Sequence, residues 1–421
     1  MKLPESLNDL HEAMYDPLLL DISRMKKGAF TRKREGGMGF PDALCFMLDM
    51  NKTALQSRLH RFFREVKGTK PITEQAFSKL RANFDHTPFE VMTRRLIFKE
   101  YSIGADGRLT YELPTWRGFH LFAVDGSYLQ LPWDDELARE FGVRGGGKRP
   151  SAGISVLFDL LHGWVLDAEI DRTDRSERHA LDRHIDFLAG ELPHIAAQAL
   201  LLVDRGYPSY DLLQKCEENS LKFVMRCPSQ SFKAVNEAPM GDSAVTLENG
   251  QRLRVVKFLL SSGEVEILVT NLFDLPETEF PALYAMRWGV ETYYHKLKQI
   301  VGVEQFSGRT PNSIRQDFWA SMVLLVNTAI AQQEADEEVG RRHQNKQNKH
   351  FYRAATTKIV IALRDRLVFA TLCGYPALAA IALEDILDEL SRAVSPVRPG
   401  RSYPRKPRFY AAADHNRKSV L

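Results

Sequence analysis

His120-Leu-Phe-Ala-Val-Asp125-Gly-Ser-Tyr-Leu129 sets a carboxylate inside an almost unbroken apolar run from Phe119 to Leu131. A short apolar run of this kind reads as a buried strand. An ionised carboxylate there is expensive unless a cation or several donors compensate it. Outward from this stretch come apolar segments at Gly153–Leu161 and Trp164–Ile170, a helical pattern at Ser176–Glu191 and a strand at Ala199–Val203. The order strand, strand, strand, helix, strand predicts a mixed α/β sheet of the ribonuclease-H type. Asp204 ends Leu200-Leu-Leu-Val-Asp204-Arg-Gly-Tyr207 at the carboxyl end of its strand, where the sites of such sheets lie. Either acid alone could be a structural cap; two strand-borne acids in one sheet point to a site.

A helix Tyr210–Asn219 and a strand Leu221–Arg226 continue the pattern. From about 222 to 275 short strands alternate with turns, and Asn249-Gly250 is a hairpin signal between Ala244–Leu247 and Leu253–Val256. This segment reads as a β insertion. Helical spacing returns at Pro281, which suits a first helical turn, and runs through Tyr284, Arg287, Glu291 and Lys298. At ~100° per residue these four fall within roughly 60° of one another, opposite an apolar face. By spacing alone this is an amphipathic helix with an internal Arg287–Glu291 ion pair.

The flanks differ in character. Residues 1–115 read as mostly helical, with apolar periodicity at Thr53–Phe63 and Thr73–Arg81. Thr53 and Gln56 fit a capping box. Arg58, Arg61 and Arg64 share one side of that helix, which suits a DNA backbone and equally a solvated face. After the buried-helix pattern of Phe318–Ile330, residues 346–421 form a basic C-terminal region. The stretch Tyr375–Ala393 there carries an apolar helical face, a candidate assembly element that precedes further basic residues able to reach DNA.

Net charge is only +3 over 421 residues, but it is unevenly spread. Arg24–Arg34 holds six Lys/Arg and no acid, Arg341–Arg353 five and no acid, and Arg392–Leu421 eight against one acid. Such blocks gain affinity for a phosphate backbone by releasing counterions. The four cysteines are dispersed, which implies neither a zinc site nor a disulfide framework. No uncharged apolar run reaches the ~18 residues of a membrane span, and no signal peptide is visible, so a cytoplasmic, DNA-associated protein is expected.

Tyr284, Arg287, Glu291 and Lys298 together reproduce the Y-x2-R-x3-E-x6-K signature, and with it the chain resembles the DDE transposases of the bacterial insertion-sequence-four family. Asp125-Gly126-Ser127 and Asp204-Arg205-Gly206-Tyr207 are similar to that group's two aspartate motifs, and Ser307–Arg315 resembles the segment after its signature helix. The likeness runs from about 118 to 330. It implies a ribonuclease-H-like catalytic domain at 116–345 between helical N- and C-terminal regions, the first binding DNA.

It also implies that Asp125, Asp204 and Glu291 are catalytic and hold two Mg²⁺ ions, with Mn²⁺ as a substitute. Tyr284, Arg287 and Lys298 would grip phosphates of the transposon ends. Trp288 is either core or a platform for a base flipped out of DNA. Expected partners are the terminal inverted repeats, target DNA and, in the DNA-bound complex, a second copy of the chain. A bacterial, nucleoid-associated location follows from the same resemblance. The competing readings are another ribonuclease-H-like nuclease, or a catalytically silent repressor that binds its own element.

Two further signals carry less. Gly142-Val-Arg-Gly-Gly-Gly-Lys-Arg149 approaches a P-loop, but Arg149 stands where a Ser/Thr should hold Mg²⁺ and a helix precedes it instead of a strand. His179 and His184 are five apart on a charged helix, poor spacing for joint metal binding, and read as surface residues.

Overall fold

The computed structural model describes residues 1–31, 36–49, 53–145, 147–344, 350–372, 388–389 and 391–397. The chain divides into two compact units. One comprises Met1–Lys99, Leu131–Leu137 and Leu297–Leu421, the other Glu100–Gln130 and Ala138–Lys296.

The second unit is built on eight strands: β1 (His120–Gln130), β2 (Ser151–Asp159), β3 (Trp164–Arg172), β4 (Ala199–Val203), β5 (Lys222–Arg226), β6 (Gly241–Thr246), β7 (Arg252–Leu259) and β8 (Val265–Thr270). Their order in one sheet is β3-β2-β1-β4-β5-β8-β7-β6. The β1–β4 and β4–β5 pairs are parallel and all others antiparallel. The first five strands have the ribonuclease-H-like order that the sequence predicts. The β insertion adds β6–β8 to the same sheet beyond β5, with β6 and β7 joined across Asn249-Gly250.

One sheet face carries Leu121, Leu200, Leu202, Val224, Val256 and Leu268, packed against Phe280 and Leu283 of the helix Phe280–Ala285. Strand alternation puts Leu121, Ala123 and Asp125 on that face, as it does Leu200, Leu202 and Asp204. Both aspartates therefore point to the side that the signature helix covers. The opposite face holds the helix Glu177–Glu191, started by Ser176, whose hydroxyl accepts from the His179 N–H.

That helix corrects the reading of His184 as a surface residue. His184 is fully buried, with Nδ1 2.8 Å from Asp167 Oδ2 and Nε2 3.0 Å from Ser155 Oγ. The pairing satisfies both ring nitrogens, which lets a polar ring sit inside the core.

The signature segment is not one continuous helix. It comprises Phe280–Ala285, then Trp288–His295, then a π-helical turn at Lys296–Val301. At the first junction the N–H groups of Arg287, Gly289 and Val290 bond three residues back, not four, which tightens the turn. Gly289 has a steric reason to be glycine: a Cβ there would lie 2.9 Å from Leu160 Cδ2.

In the other unit, the helix Pro311–His343 carries the buried Phe318–Ile330 stretch. Ser307 and Asp317 close its start, with Ser307 N–H donating to Asp317 Oδ2 at 2.7 Å and Arg81 bonding both residues. The Ser307–Arg315 segment is thus an anchored cap for this helix.

The expected capping box at Thr53 does not form. The helix begins at Leu55 behind Ala54, with no side-chain cap, and Gln56 exchanges bonds with Glu74 instead. Nor do all three arginines of that helix face outward. Arg58 is buried against Asp49 and the Phe46 carbonyl, and Arg61 bonds Asp49 Oδ1 at 2.7 Å; only Arg64 is well exposed. A buried acid at 49 draws the two cations inward, a pairing that helix periodicity cannot show. Most of Tyr375–Ala393 and the tail after Val397 lie outside the described residues. Among the described residues no helix is long and apolar enough to cross a membrane.

Candidate active site

Asp125 and Asp204 stand at neighbouring strand ends. β1 and β4 pair in parallel up to Val124 and Val203, and each aspartate is the next residue. Past that point the Asp125 carbonyl has no partner on β4. It accepts instead from the Tyr294 hydroxyl at 2.6 Å and from the Ser155 hydroxyl at 3.3 Å. Since Ser155 is the residue that His184 holds, a chain Asp167–His184–Ser155 braces the backbone of Asp125 from beneath.

The Asp125 side chain accepts from the Gly126 N–H at 2.9 Å. Burial pushes its carboxyl up to about 6, the nearby Arg287 only partly offsetting this. Asp204 Oδ1 lies 3.3 Å from the Tyr284 hydroxyl and 4.0 Å from Arg226 Nη1.

Arg287 joins the third carboxylate to the first. It is only 8% exposed; Nη2 donates to Glu291 Oε1 at 2.9 Å and Nη1 lies 3.9 Å from Asp125 Oδ2. Its guanidinium also lies 5.8 Å from the Tyr284 ring centre. Burial alone would lower its pKa, but Tyr284, Asp204, Asp125 and Glu291 together raise it. The intrahelical ion pair read from spacing is present, and it belongs to a larger network of two cations and three acids.

The structure thus gathers Asp125, Asp204, Glu291, Tyr284 and Arg287. Trp288 is 55% exposed, so it is not core. Lys298 falls in the other compact unit.

One acid was missed. Glu177 approaches the same sheet edge from the opposite face, close to both Gly126 and Gly206. The residue is solvent-exposed overall; partial desolvation of its carboxyl against the sheet edge, and next Asp204, raise it, with Arg144 opposing. In sequence, Ser176-Glu177 reads only as a helix cap followed by an acid favourable to the helix dipole. The available signal was its place straight after the third strand of the predicted sheet.

The donor set is carboxylate and phenol oxygen throughout, which suits a hard divalent cation such as Mg²⁺ or Mn²⁺. The fit is chemical and not yet geometric. Among the described residues no three His, Cys, Asp or Glu side chains are close enough to cage one ion. Arg287 lies between Asp125 and Glu291, 3.9 Å from the first and 2.9 Å from the second.

A carboxylate-rich, oxygen-only centre at the carboxyl edge of a ribonuclease-H-like sheet defines the class. The particular family follows from comparison. Residues 116–327 match the transposase DDE domain, about half of the chain, and the chain belongs to that family.

Among curated proteins it is 27% identical over 145 residues to the "Probable transposase for insertion sequence element IS5377" of Geobacillus stearothermophilus, covering 31% of this chain and 38% of that one. It is 24% identical over 245 residues to "Transposase InsG for insertion sequence element IS4" of Escherichia coli, covering 52% and 53%. The chain therefore spans about half or less of these relatives. The solved structure titled "Cryo-EM structure of piggyBac transposase synaptic complex with hairpin DNA" aligns over 93% of this chain and 86% of that one, at 13% identity and a TM-score of 0.46. That likeness is too loose to add to the strand order.

Proposed function

We propose that the chain is the transposase of an insertion sequence, cutting DNA at the element's ends and joining them to target DNA. The observation that carries this reading is Arg287. One guanidinium bonded to Glu291 and within 3.9 Å of Asp125 ties the signature helix to the strand-end carboxylates.

Asp125, Asp204 and Glu291 would hold two Mg²⁺ ions, with Mn²⁺ as a substitute. When bound, the ions supply a nucleophilic hydroxide or 3′-OH at neutral pH and stabilise the leaving oxygen. The chain's own groups prepare that site. Tyr294 and Ser155 fix the Asp125 backbone so that its carboxylate stays aimed at the Arg287 side. Tyr284 steadies Asp204 Oδ1, and Arg287 balances like charges that would otherwise repel. Asp125 is half ionised at about pH 6, so its carboxylate becomes fully available to an ion only well above that pH.

Lys298 grips an end phosphate, and the exposed Trp288 offers a stacking face for an extruded base. The helical N-terminal region binds the terminal repeats. Two ends joined to one target require two sites, so a dimer on DNA is part of the reading.

The test is incubation of the purified chain and Mg²⁺ with labelled duplex carrying the element's end. Cleavage followed by strand transfer of the 3′-OH is expected. Cleavage without transfer would make it another nuclease, and binding without cleavage a repressor.

A further inference from the structure

Arg226 stands between two carboxylates, Asp204 at the site edge and Glu266 in the β insertion. The parallel β4–β5 pair runs to Val203 and Met225, so Asp204 and Arg226 are the next residues at neighbouring strand ends. Arg226 pairs in turn with Leu268 of β8. Strand alternation puts Glu266, two residues before Leu268, on the same sheet face as Arg226. Arg226 Nε lies 2.7 Å from Glu266 Oε1, while its Nη1 stays 4.0 Å from Asp204 Oδ1.

The two acids are not equivalent. Glu266 is the only charged residue of β8, its side chain is 5% exposed, and nothing else bonds its Oε1. An ionised carboxylate in such a place is stable only while a cation compensates it. The Asp204 side chain is 33% exposed, so water solvates it and it needs no such partner. Arg226 is therefore drawn to the buried acid, and its contact with Asp204 remains about 1 Å longer than a hydrogen bond. Without Glu266 the balance reverses. The released guanidinium, itself partly exposed, has Asp204 as the carboxylate within reach.

We propose that Glu266 is a positioning residue: it holds Arg226 back from Asp204, so that the Asp204 carboxylate remains unpaired and open to a cation. This rests on the function proposed above, in which Asp204 is a metal ligand, and it gives the β insertion a part in the site through β8.

The experiment is calorimetric titration of the full chain with Mn²⁺, without DNA, on the wild type, Glu266→Gln, Arg226→Gln and the double variant. Glu266→Gln should weaken Mn²⁺ binding about 10-fold or more, because Arg226 closes on Asp204, and adding Arg226→Gln should restore it. The gain from Arg226→Gln should be about 10-fold larger in the Glu266→Gln background than in the wild type, since mere loss of a nearby positive charge helps equally in both. Equal gains, or a Glu266→Gln defect that Arg226→Gln does not relieve, overturn the proposal. Thermal melts in EDTA read the same exchange without metal. Asp204→Asn should leave the wild-type melting temperature unchanged or higher, and should lower that of Glu266→Gln by removing the new partner of Arg226. No fall in the Glu266→Gln background overturns the proposal.

Asp204→Asn is also the control in the titration. If it loses Mn²⁺ while Glu266→Gln binds like the wild type, the Glu266 proposal is overturned and the metal site stands. If Asp204→Asn binds like the wild type, the reading of the site fails and this proposal with it. Should Glu266→Gln not fold, Glu266→Asp takes its place. It keeps the charge but withdraws the oxygens from Arg226 by one methylene, and wild-type affinity in it overturns the proposal.

Discussion

Asp125→Asn should leave the metal-free protein inactive but more stable than the wild type. The carboxyl, 22% exposed, is shifted from its ordinary 3.8 to about 6, with burial the main cause and Arg287 opposing it. Because the folded protein holds this proton more tightly than the unfolded chain does, stability falls as pH rises from about 4 to 6 and is level above that. The ionisation cost at pH 8 is about 3 kcal/mol. Asparagine does not titrate, and its Oδ1 can still accept from the Gly126 N–H.

The variant should therefore match the wild type near pH 4 and exceed it by about 3 kcal/mol at pH 8. For a unit of this size that corresponds to a melting temperature roughly 6–12 °C higher. Melts in EDTA at both pH values read this directly. Adding Mn²⁺ should reverse the order, since only the wild type gains from the ion. A variant no more stable at pH 8, or a gap independent of pH, would refute the claim that Asp125 is a desolvated carboxylate waiting for a cation.

Asp125→Asn, Asp204→Asn and Glu291→Gln should each abolish cleavage while leaving end binding largely intact; a gel-shift assay beside a cleavage assay checks both, and near-normal cleavage removes that residue from the site. Tyr294→Phe deletes the 2.6 Å bond to the Asp125 carbonyl and should cost about 1–2 kcal/mol in denaturant melts, with weaker Mn²⁺ binding because Asp125 is no longer held. Lys298→Ala should lower the salt slope of DNA binding by about one. Arg287→Ala should cost about 3 kcal/mol of stability by exposing two acids to each other; an unchanged salt slope would assign Arg287 to the carboxylates alone, and a lowered slope to phosphate as well.

Local pattern was enough to read much of this chain. The apolar runs around Asp125 and Asp204, with those at Gly153–Leu161, Trp164–Ile170 and Leu221–Arg226, specify the first five strands in order, because strands buried on both faces leave continuous apolar stretches. Asn249-Gly250 specifies a hairpin because few other pairs accept its turn. The fourfold spacing of Tyr284, Arg287, Glu291 and Lys298 could be read both as a signature and as an ion pair, and Arg287–Glu291 is in fact paired.

What only the tertiary structure decided are relations between residues distant in sequence. Asp49 turns Arg58 and Arg61 inward, Asp167 and Ser155 make His184 a core residue, and Tyr294 and Ser155 hold the Asp125 backbone. The helix that seemed continuous tightens at Arg287, bringing one guanidinium within reach of acids 166 residues apart in effect: Asp125 on a strand and Glu291 on a helix. Glu177 is the plainest case. In sequence it is an ordinary acid at a helix start, and only the folding of that helix onto the back of the sheet carries it to Gly126 and Gly206. Periodicity reports which face of an element is buried, whereas the partner that face meets is set by packing across the whole unit.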